Sequence, residues 1–394
     1  MRIPSIVLIT LISMLSFVCS AADQANDARP CDDMSAFEET AIPKLEMLKL
    51  LRERKFKEIQ GEFKARYQRV VGNGVREMSV YELLNFVESG DPVFEPLLNE
   101  WVRSSPDSVW PLLVRGKYWK ALGWKKRGNK FVGETTPEQF ESLDAELQKA
   151  AQDLEQAIKI DATNVMTFAT YLGAAKASNG RRTARELLKM ANKIAPKNFV
   201  TRFVAMDALS PRWGGSFEEM DAIVEGAKSA DMNKLDITRL NYLLEREKGS
   251  HYQRVEKNTA LALEHYALAV KICDGRGAWN SIVKTHSEIK NWPAVESSAT
   301  QLIRVWPEHV YAYEQRAWAR EQLGRVREAI PDYERAASGG SAWAQNRLAV
   351  QYIEGKNVPI DLIKARALLE QAAAKGSKNA KENLDKLIKQ QLQK

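Results

Sequence analysis

The sequence predicts an all-α chain of stacked helix pairs, on three observations. From Ala36 onward apolar residues recur at three- and four-residue intervals, as in Leu45, Leu48, Phe56, Ile59 and Phe63, the spacing that lines one face of a helix. Helix starts are marked at Ser79-Val-Tyr-Glu82, Thr136-Pro-Glu-Gln139 and Ser216-Phe-Glu-Glu219. In each, a hydroxyl stands three residues before an acid or amide and is placed to accept from an orphan backbone N–H. No stretch alternates apolar and polar residues over a strand's length. Gly72-Asn-Gly74 and Gly214-Gly215 read as breaks between helices.

The ends of the chain differ from its body. Arg2 is the only charge before Asp23, Ile6–Val18 is apolar, and small residues follow at Ser20, Ala21 and Ala22. That is the pattern of a cleaved secretory signal peptide over residues 1–22, too short in its apolar run to span a bilayer comfortably. Val18 and Phe17 precede Cys19 where a lipoprotein would carry a small residue, so lipidation is not expected. Residues 23–35 are polar, carry Pro30, and read as a flexible N-terminus. No later segment has 18 consecutive apolar residues, so the exported chain is expected without a transmembrane segment. The expected location is periplasmic or secreted, in a bacterium. Of three cysteines, Cys19 leaves with the signal, which leaves Cys31 and Cys273. They have the option of pairing in an oxidising compartment, but nothing in the sequence brings them together.

Composition excludes some function classes. With 44% hydrophobic and 28% charged residues the chain is globular rather than disordered. Its net charge of +7 comes from 58 basic against 51 acidic residues, interspersed rather than gathered in a tract. Such mixing describes solvated helix faces. It favours anionic envelope surfaces mildly, and export argues against nucleic acid.

Self-similarity carries the organisation. Gly324, Ala329, Tyr333 and Ala336 lie 7, 12, 16 and 19 residues after Ala317, with Tyr313 four before it. The small residues let two helices of one unit approach, the glycine turns the chain between them, and Tyr333 fills the seam to the next unit. On these residues Val310–Ala337 resembles a tetratricopeptide repeat. Degenerate copies precede it: Ala184, Leu188, Ala191 and Pro196 as a second helix, and Pro106, Leu112, Gly116, Trp119 and Gly123 as a first helix. The partner of that first helix is expected over Leu143–Ile160, after an insertion around Lys125–Glu138. Trp292-Pro-Ala-Val-Glu296 followed by Pro307 resembles another second helix. Gly340–Leu348, Tyr352-Ile-Glu-Gly355, Asp361–Ala365 and Ala372–Gly376 resemble a Sel1-like repeat, although Lys356 and Asn357 stand where that family often has a second glycine. Asn379–Lys394 reads as a charged capping helix. Ser210-Pro-Arg-Trp-Gly-Gly-Ser216 resembles the signature of an exported bacterial domain of unknown function, over roughly Ala36–Val305. The expected divisions are 36–305 for that irregular helical half, 306–337 for the tetratricopeptide repeat, 338–378 for the Sel1-like repeat and 379–394 for the cap. The whole reads as a superhelical solenoid of helix pairs.

Chemistry-bearing motifs are scarce. None of the four histidines, His251, His265, His286 and His309, stands three to five residues from another histidine or a cysteine, so no zinc pattern exists. There is no GxSxG, Walker or dinucleotide-binding pattern. No cofactor, metal or catalytic residue is assigned. The single sharp candidate is Arg212-Trp213-Gly214-Gly215: two glycines permit a backbone nest for an anion, Arg212 supplies charge and Trp213 a flat face. The competing reading is structural, with Trp213 wedged between helix pairs and Ser216 capping the next helix. Trp119, Trp292 and Trp318 fall at helix-pair contacts; Trp101, Trp110 and Trp306 are candidates for a groove surface. The expected function is an interaction scaffold for a peptide, protein or anionic envelope polymer. The alternative is a hydrolase or carbohydrate-binding protein with a pocket in the N-terminal half. Arg212 gathered with two carboxylates and a histidine would favour that alternative.

Overall fold

Helix formation follows the capping and spacing rules almost throughout. The computed structural model describes residues 41–129, 134–175 and 183–392; the signal segment 1–22, the segment 23–35, Cys19 and Cys31 lie outside them. Among the described residues there are 19 α-helices and no strand. Two compact units divide at Ile272/Cys273.

The first unit holds α1 (Ala41–Arg52), α2 (Phe56–Val70), α3 (Glu77–Leu83), α4 (Phe94–Ser104), α5 (Val109–Arg127) and α6 (Pro137–Ile160). It continues with α7 (Val165–Ala175), α8 (Ala184–Ile194), α9 (Phe199–Ala208), α10 (Phe217–Ser229), α11 (Lys234–Arg254) and α12 (Thr259–Ile272). From α5 on, successive helices pair: α5 with α6, α7 with α8, α9 with α10, α11 with α12. The first helices of these pairs also pack on one another in the order α5, α7, α9, α11. They make one layer, here called the A layer, and α6, α8, α10 and α12 make the B layer. The long pair α5–α6 closes tightly because Gly123 and Gly116 face it; a Cβ at Gly123 would meet Leu143 at 3.1 Å. The expected insertion is shorter than Lys125–Glu138, since α5 runs on to Arg127 and α6 begins at Pro137. Thr136 and Gln139 cap α6 reciprocally. Thr183 and Glu186 do the same for α8.

One expected cap is corrected. Ser79 is the third residue of α3, not its cap, and its hydroxyl donates back to the Arg76 carbonyl at 2.7 Å. The chain already turns at Gly72–Gly74 and enters α3 through a 3-10 turn, Gly74–Arg76, so the helix starts early.

The second unit is regular. Its helices are α13 (Arg276–Glu288), α14 (Trp292–Val305), α15 (Val310–Gln322), α16 (Val326–Ser338), α17 (Ala342–Glu354), α18 (Leu362–Ala374) and α19 (Lys378–Leu392). α13 and α15 begin 34 residues apart, as do α14 and α16. From α17 to α18 the step is 20 residues instead of the 16 from α15 to α16, the longer loop of a Sel1-like pair, with Gly355 left-handed at its start. The seams are built from small residues: Ala317, Ala329 and Ala336 are fully buried around Tyr333. Ala349, Ala365 and Ala372 repeat the device between α17, α18 and α19. Each unit is therefore an all-α stack of helix pairs of tetratricopeptide/Sel1-like kind. Cys273, at the start of the second unit, is disulfide-bonded. No described helix is long and apolar enough to cross a membrane.

Candidate functional site

The Ser210–Ser216 segment links α9 to α10 and is built as a turn. Pro211–Trp213 form one 3-10 turn, Gly214 is left-handed, and Ser216 accepts from the Glu219 amide at 3.2 Å as the cap of α10. The amides of Trp213 and Gly215 both donate to the Ser210 carbonyl, at 2.9 and 3.2 Å, and that of Gly214 donates to Pro211. The donors that a nest would aim at an anion are thus spent inside the turn. Gly215 is demanded by space: a Cβ there would lie 1.9 Å from the Leu209 carbonyl oxygen. Trp213 meets Trp124 edge-on at 5.7 Å, the wedge role of the structural reading. Arg212 does gather two carboxylates, Asp207 at 3.1 Å and Glu247 at 3.0 Å. Burial pushes the Glu247 carboxyl up, against the pull of Arg212. Among the described residues the ion partners of Arg212 include no histidine.

The A layer of the first unit has a face turned away from the B helices, and the chain's own N-terminal segment covers it. Leu209, the residue that caps the end of α9, faces the cleft between α8 and α10. Val204, five residues earlier and so about 140° around the helix, faces the opposite way. It shares its surroundings with Gly173, whose ideal Cβ would stand 3.8 Å from Val204 and 2.9 Å from the Tyr81 hydroxyl of α3. α3 packs on both α7 and α9. As a result every residue from Val165 to Ala174 is buried, which a helix covered on only three sides would not achieve. The cover is pinned by polar contacts. Glu77 is 1% exposed; it accepts from the Gly72 amide at 2.7 Å and from Asn198 Nδ2 at 2.5 Å. Gly74 sits against the buried Asp236, which Arg239 holds at 3.0 Å. Lys117 is buried with its ammonium 3.3 Å from the centre of the Tyr81 ring. Burial, reinforced by Lys120, holds its pKa well below the usual lysine range.

The corresponding face of the second unit carries a different group of side chains. On α15, Arg316 and Arg320 are tied to the B layer, through Asp332 of α16 and Glu296 of α14. Trp318 is two residues from each and so about 200° around, on the side of Tyr311, Glu314 and Glu321; there it meets Trp292 at the start of α14 edge-on at 6.3 Å, as its expected place at a helix-pair contact implies. On α17, Gln345 donates to the Ala337 carbonyl and to Gln371, both on B helices. By the same rotation Trp343 and Arg347 lie on the other side of α17 from Gln345, where Trp343 also meets Tyr333 of α16 at 5.7 Å. The two sets meet. Trp343 lies edge-on to Trp318 at 5.7 Å, and the Arg347 guanidinium covers the Trp318 ring at 5.0 Å while pairing with Glu321. Tyr333 donates to the same Glu321 carboxylate at 2.5 Å. Burial lowers the Arg347 pKa, with Glu354 opposing. Burial also raises Tyr311, and Glu314 and Glu288 add to the rise. Trp343 keeps 38% of its surface exposed.

Trp101 and Trp110, expected as groove candidates, are core instead. Trp101 is fully buried in parallel stacking on Phe56, and Trp110 stacks on Phe63. Trp306 is half-buried against His309. Trp119 is buried and donates to Asp153 at 3.1 Å, as its position at a pair contact implies. His251 and His265 lie on the paired helices α11 and α12. His265 bonds Glu245 at 2.7 Å, and His251 lies 3.3 Å from Glu256. Among the described residues no group of histidine, cysteine and acidic side chains is placed to hold a metal.

Residues 44–179 match the family model described as Domain of unknown function (DUF4034). The matched segment runs from α1 to just beyond α7, so it contains the cover of the A layer together with its first helices. It lies inside the Ala36–Val305 span of the sequence resemblance, and the Ser210–Ser216 motif falls outside it. No curated protein matches the chain. Among solved structures, a Sel1 repeat protein from Oxalobacter formigenes is similar at 18% identity, over 88% of this chain and 94% of that one, with a TM-score of 0.41. The C-terminal part of a TPR repeat-containing protein from Cytophaga hutchinsonii is 15% identical over 77% and 99%, at 0.34. A protective antigen of uropathogenic Escherichia coli displaying an SLR fold is 14% identical over 86% and 82%, at 0.35. The fold assignment rests on the helix pairing itself.

Proposed function

We propose that the protein is an exported interaction scaffold that holds an extended peptide or protein segment on the free A-layer face of its second unit. One observation carries the reading: the Trp318–Trp343 pair, with Trp343 exposed, stands on that face beside Arg347 and Glu321. Exposed indoles with a charged neighbour give an extended chain a flat apolar seat and hydrogen-bonding ends. The same face of the first unit is filled by α3 and the turn before it. Export is supported by the apolar run Ile6–Val18 with the small residues after it, and the disulfide at Cys273 fits an oxidising compartment.

A photo-crosslinking residue distinguishes the faces. Placed at Gln322, on the free side of α15, it should trap a discrete protein adduct when the full chain is expressed in its own compartment. Placed at Arg327, exposed on the B helix α16, it should not. Equal trapping at both positions, or none at Gln322, would remove the assignment.

A further inference from the structure

We infer that Cys273 is bonded to Cys31, and that this disulfide straps the acidic segment 23–40 onto the start of α13, from which thiol reduction releases it. Cys273 is in a disulfide, and the chain has only two other cysteines, Cys19 and Cys31. Cys19 lies in the signal segment 1–22 and leaves with it, so the inference rests on the export reading above. Cys31 is then the one other cysteine of the exported chain.

The residues around the two cysteines give the strap its seat. Segment 23–40 holds Asp23, Asp27, Asp32, Asp33, Glu38 and Glu39 against Arg29 alone, an acidic stretch in a chain of net charge +7. α13 starts at Arg276, three residues after Cys273. Its cap position is Gly275, which has no side chain to accept from the first amides. Gly277 and Ala278 in that turn are engaged all the same. Arg276 lies over the Trp306 ring at 5.3 Å and donates from Nε to the Val305 carbonyl at 3.3 Å, which holds a cation at this helix start. Asp274, the one acid between Cys273 and α13, is already taken by Arg304 and by Trp279 Nε1. A helix start and a guanidinium both favour a carboxylate. A disulfide holds its two Cα atoms about 5.5 Å apart, and two further residues reach about 7 Å. Asp32 and Asp33, directly after Cys31, therefore come within reach of the first turn of α13.

The bond forms by exchange with a dithiol–disulfide oxidant of the export compartment. One cysteine thiolate attacks the oxidant's disulfide to give a mixed disulfide, and the other cysteine thiolate displaces it. The oxidant leaves as a dithiol, with the two electrons and the two thiol protons. A dithiol reductant runs the same exchange backwards and frees the strap.

Non-reducing tryptic mapping of the exported full chain by mass spectrometry tests the pairing. The expected species joins Ile272–Arg276 to the Cys31 peptide that ends at Lys44. A free Cys273 thiol, a Cys273–Cys273 link between two chains, or a link to Cys19 overturns the inference. The start of the Cys31 peptide reads signal cleavage separately, so a failed export reading is distinguished from a wrong pairing. Hydrogen exchange tests the seat. Reduction with dithiothreitol, or Cys31→Ser, should speed exchange in the first turn of α13 (276–279) by about tenfold and leave α15 and α16 unchanged. With the disulfide intact, Asp32→Ala combined with Asp33→Ala should speed it by about threefold. Unchanged exchange in that turn, after reduction or in the double variant, overturns the strap.

Discussion

Asn198 donates to Glu77 across 2.5 Å, joining residues 121 positions apart. The bond fastens the first residue of α3 onto the start of α9, and it places a carboxyl where water does not reach. Burial pushes Glu77 up to about 7; the Gly72 amide pulls down, and Asp236 adds to the rise. An acid whose folded value lies above its ordinary one is held in its neutral form. Its contribution to stability is complete below the ordinary carboxylate range and is lost as pH rises to about 7, by up to about 3 kcal/mol. Wild type should therefore melt at a lower temperature at about pH 8 than at about pH 5.5, and Glu77→Gln should shrink that difference. An unchanged difference in the variant would show that the pH dependence comes from elsewhere.

The two glycines after Trp213 are predicted to differ in cost. Gly214→Ala keeps an open site and incurs only the left-handed backbone, about 1 kcal/mol. Gly215→Ala drives a Cβ into the Leu209 carbonyl and should cost several times as much or prevent folding. Urea unfolding midpoints rank them; similar midpoints would contradict the turn described here.

Asp332 is buried and takes both arms of Arg316, at 2.6 and 2.8 Å, and one arm of Arg320 at 2.9 Å. Asp332→Ala leaves two partly buried guanidinium groups without that partner. A loss of about 3 kcal/mol is expected, read as a lowered denaturant midpoint. A loss within error of zero would mean that Glu296 and solvent compensate both arginines.

The helix pairs were legible because their spacing is a steric requirement. Ala317, Ala329 and Ala336 must be small where α15, α16 and α17 meet, and the structure buries all three. Thr136-Pro-Glu-Gln139 was legible for the same reason, since its reciprocal cap is local. The cover of the first A layer was not, because Glu77–Asn198 and Tyr81–Gly173 are contacts between distant segments with no periodic trace. Trp101 and Trp110 read as groove candidates because an indole has the same apolar character in a core as on a surface. Only the packing of Phe56 and Phe63 decides between those places. Arg212-Trp213-Gly214-Gly215 looked like a nest because glycine pairs serve both nests and tight turns. The Ser210 carbonyl, by accepting two of the amides, settles which geometry is present. Trp343 and Arg347 were visible only as members of a Sel1-like first helix; their four-residue spacing was the available signal. The direction in which they point became fixed by Gln345, which ties the opposite side of α17 to its B helices.

The central claim is that ligand is taken on the free face of α15 and α17 while the equivalent face of the first unit is closed. Hydrogen exchange of the full chain, alone and with the partner trapped at Gln322, tests it most directly. Added protection is predicted in α15 (310–322) and α17 (342–354), with α7 (165–175) and α9 (199–208) unchanged. Protection gained in α7 and α9, or confined to the B helices α16 and α18, would contradict it.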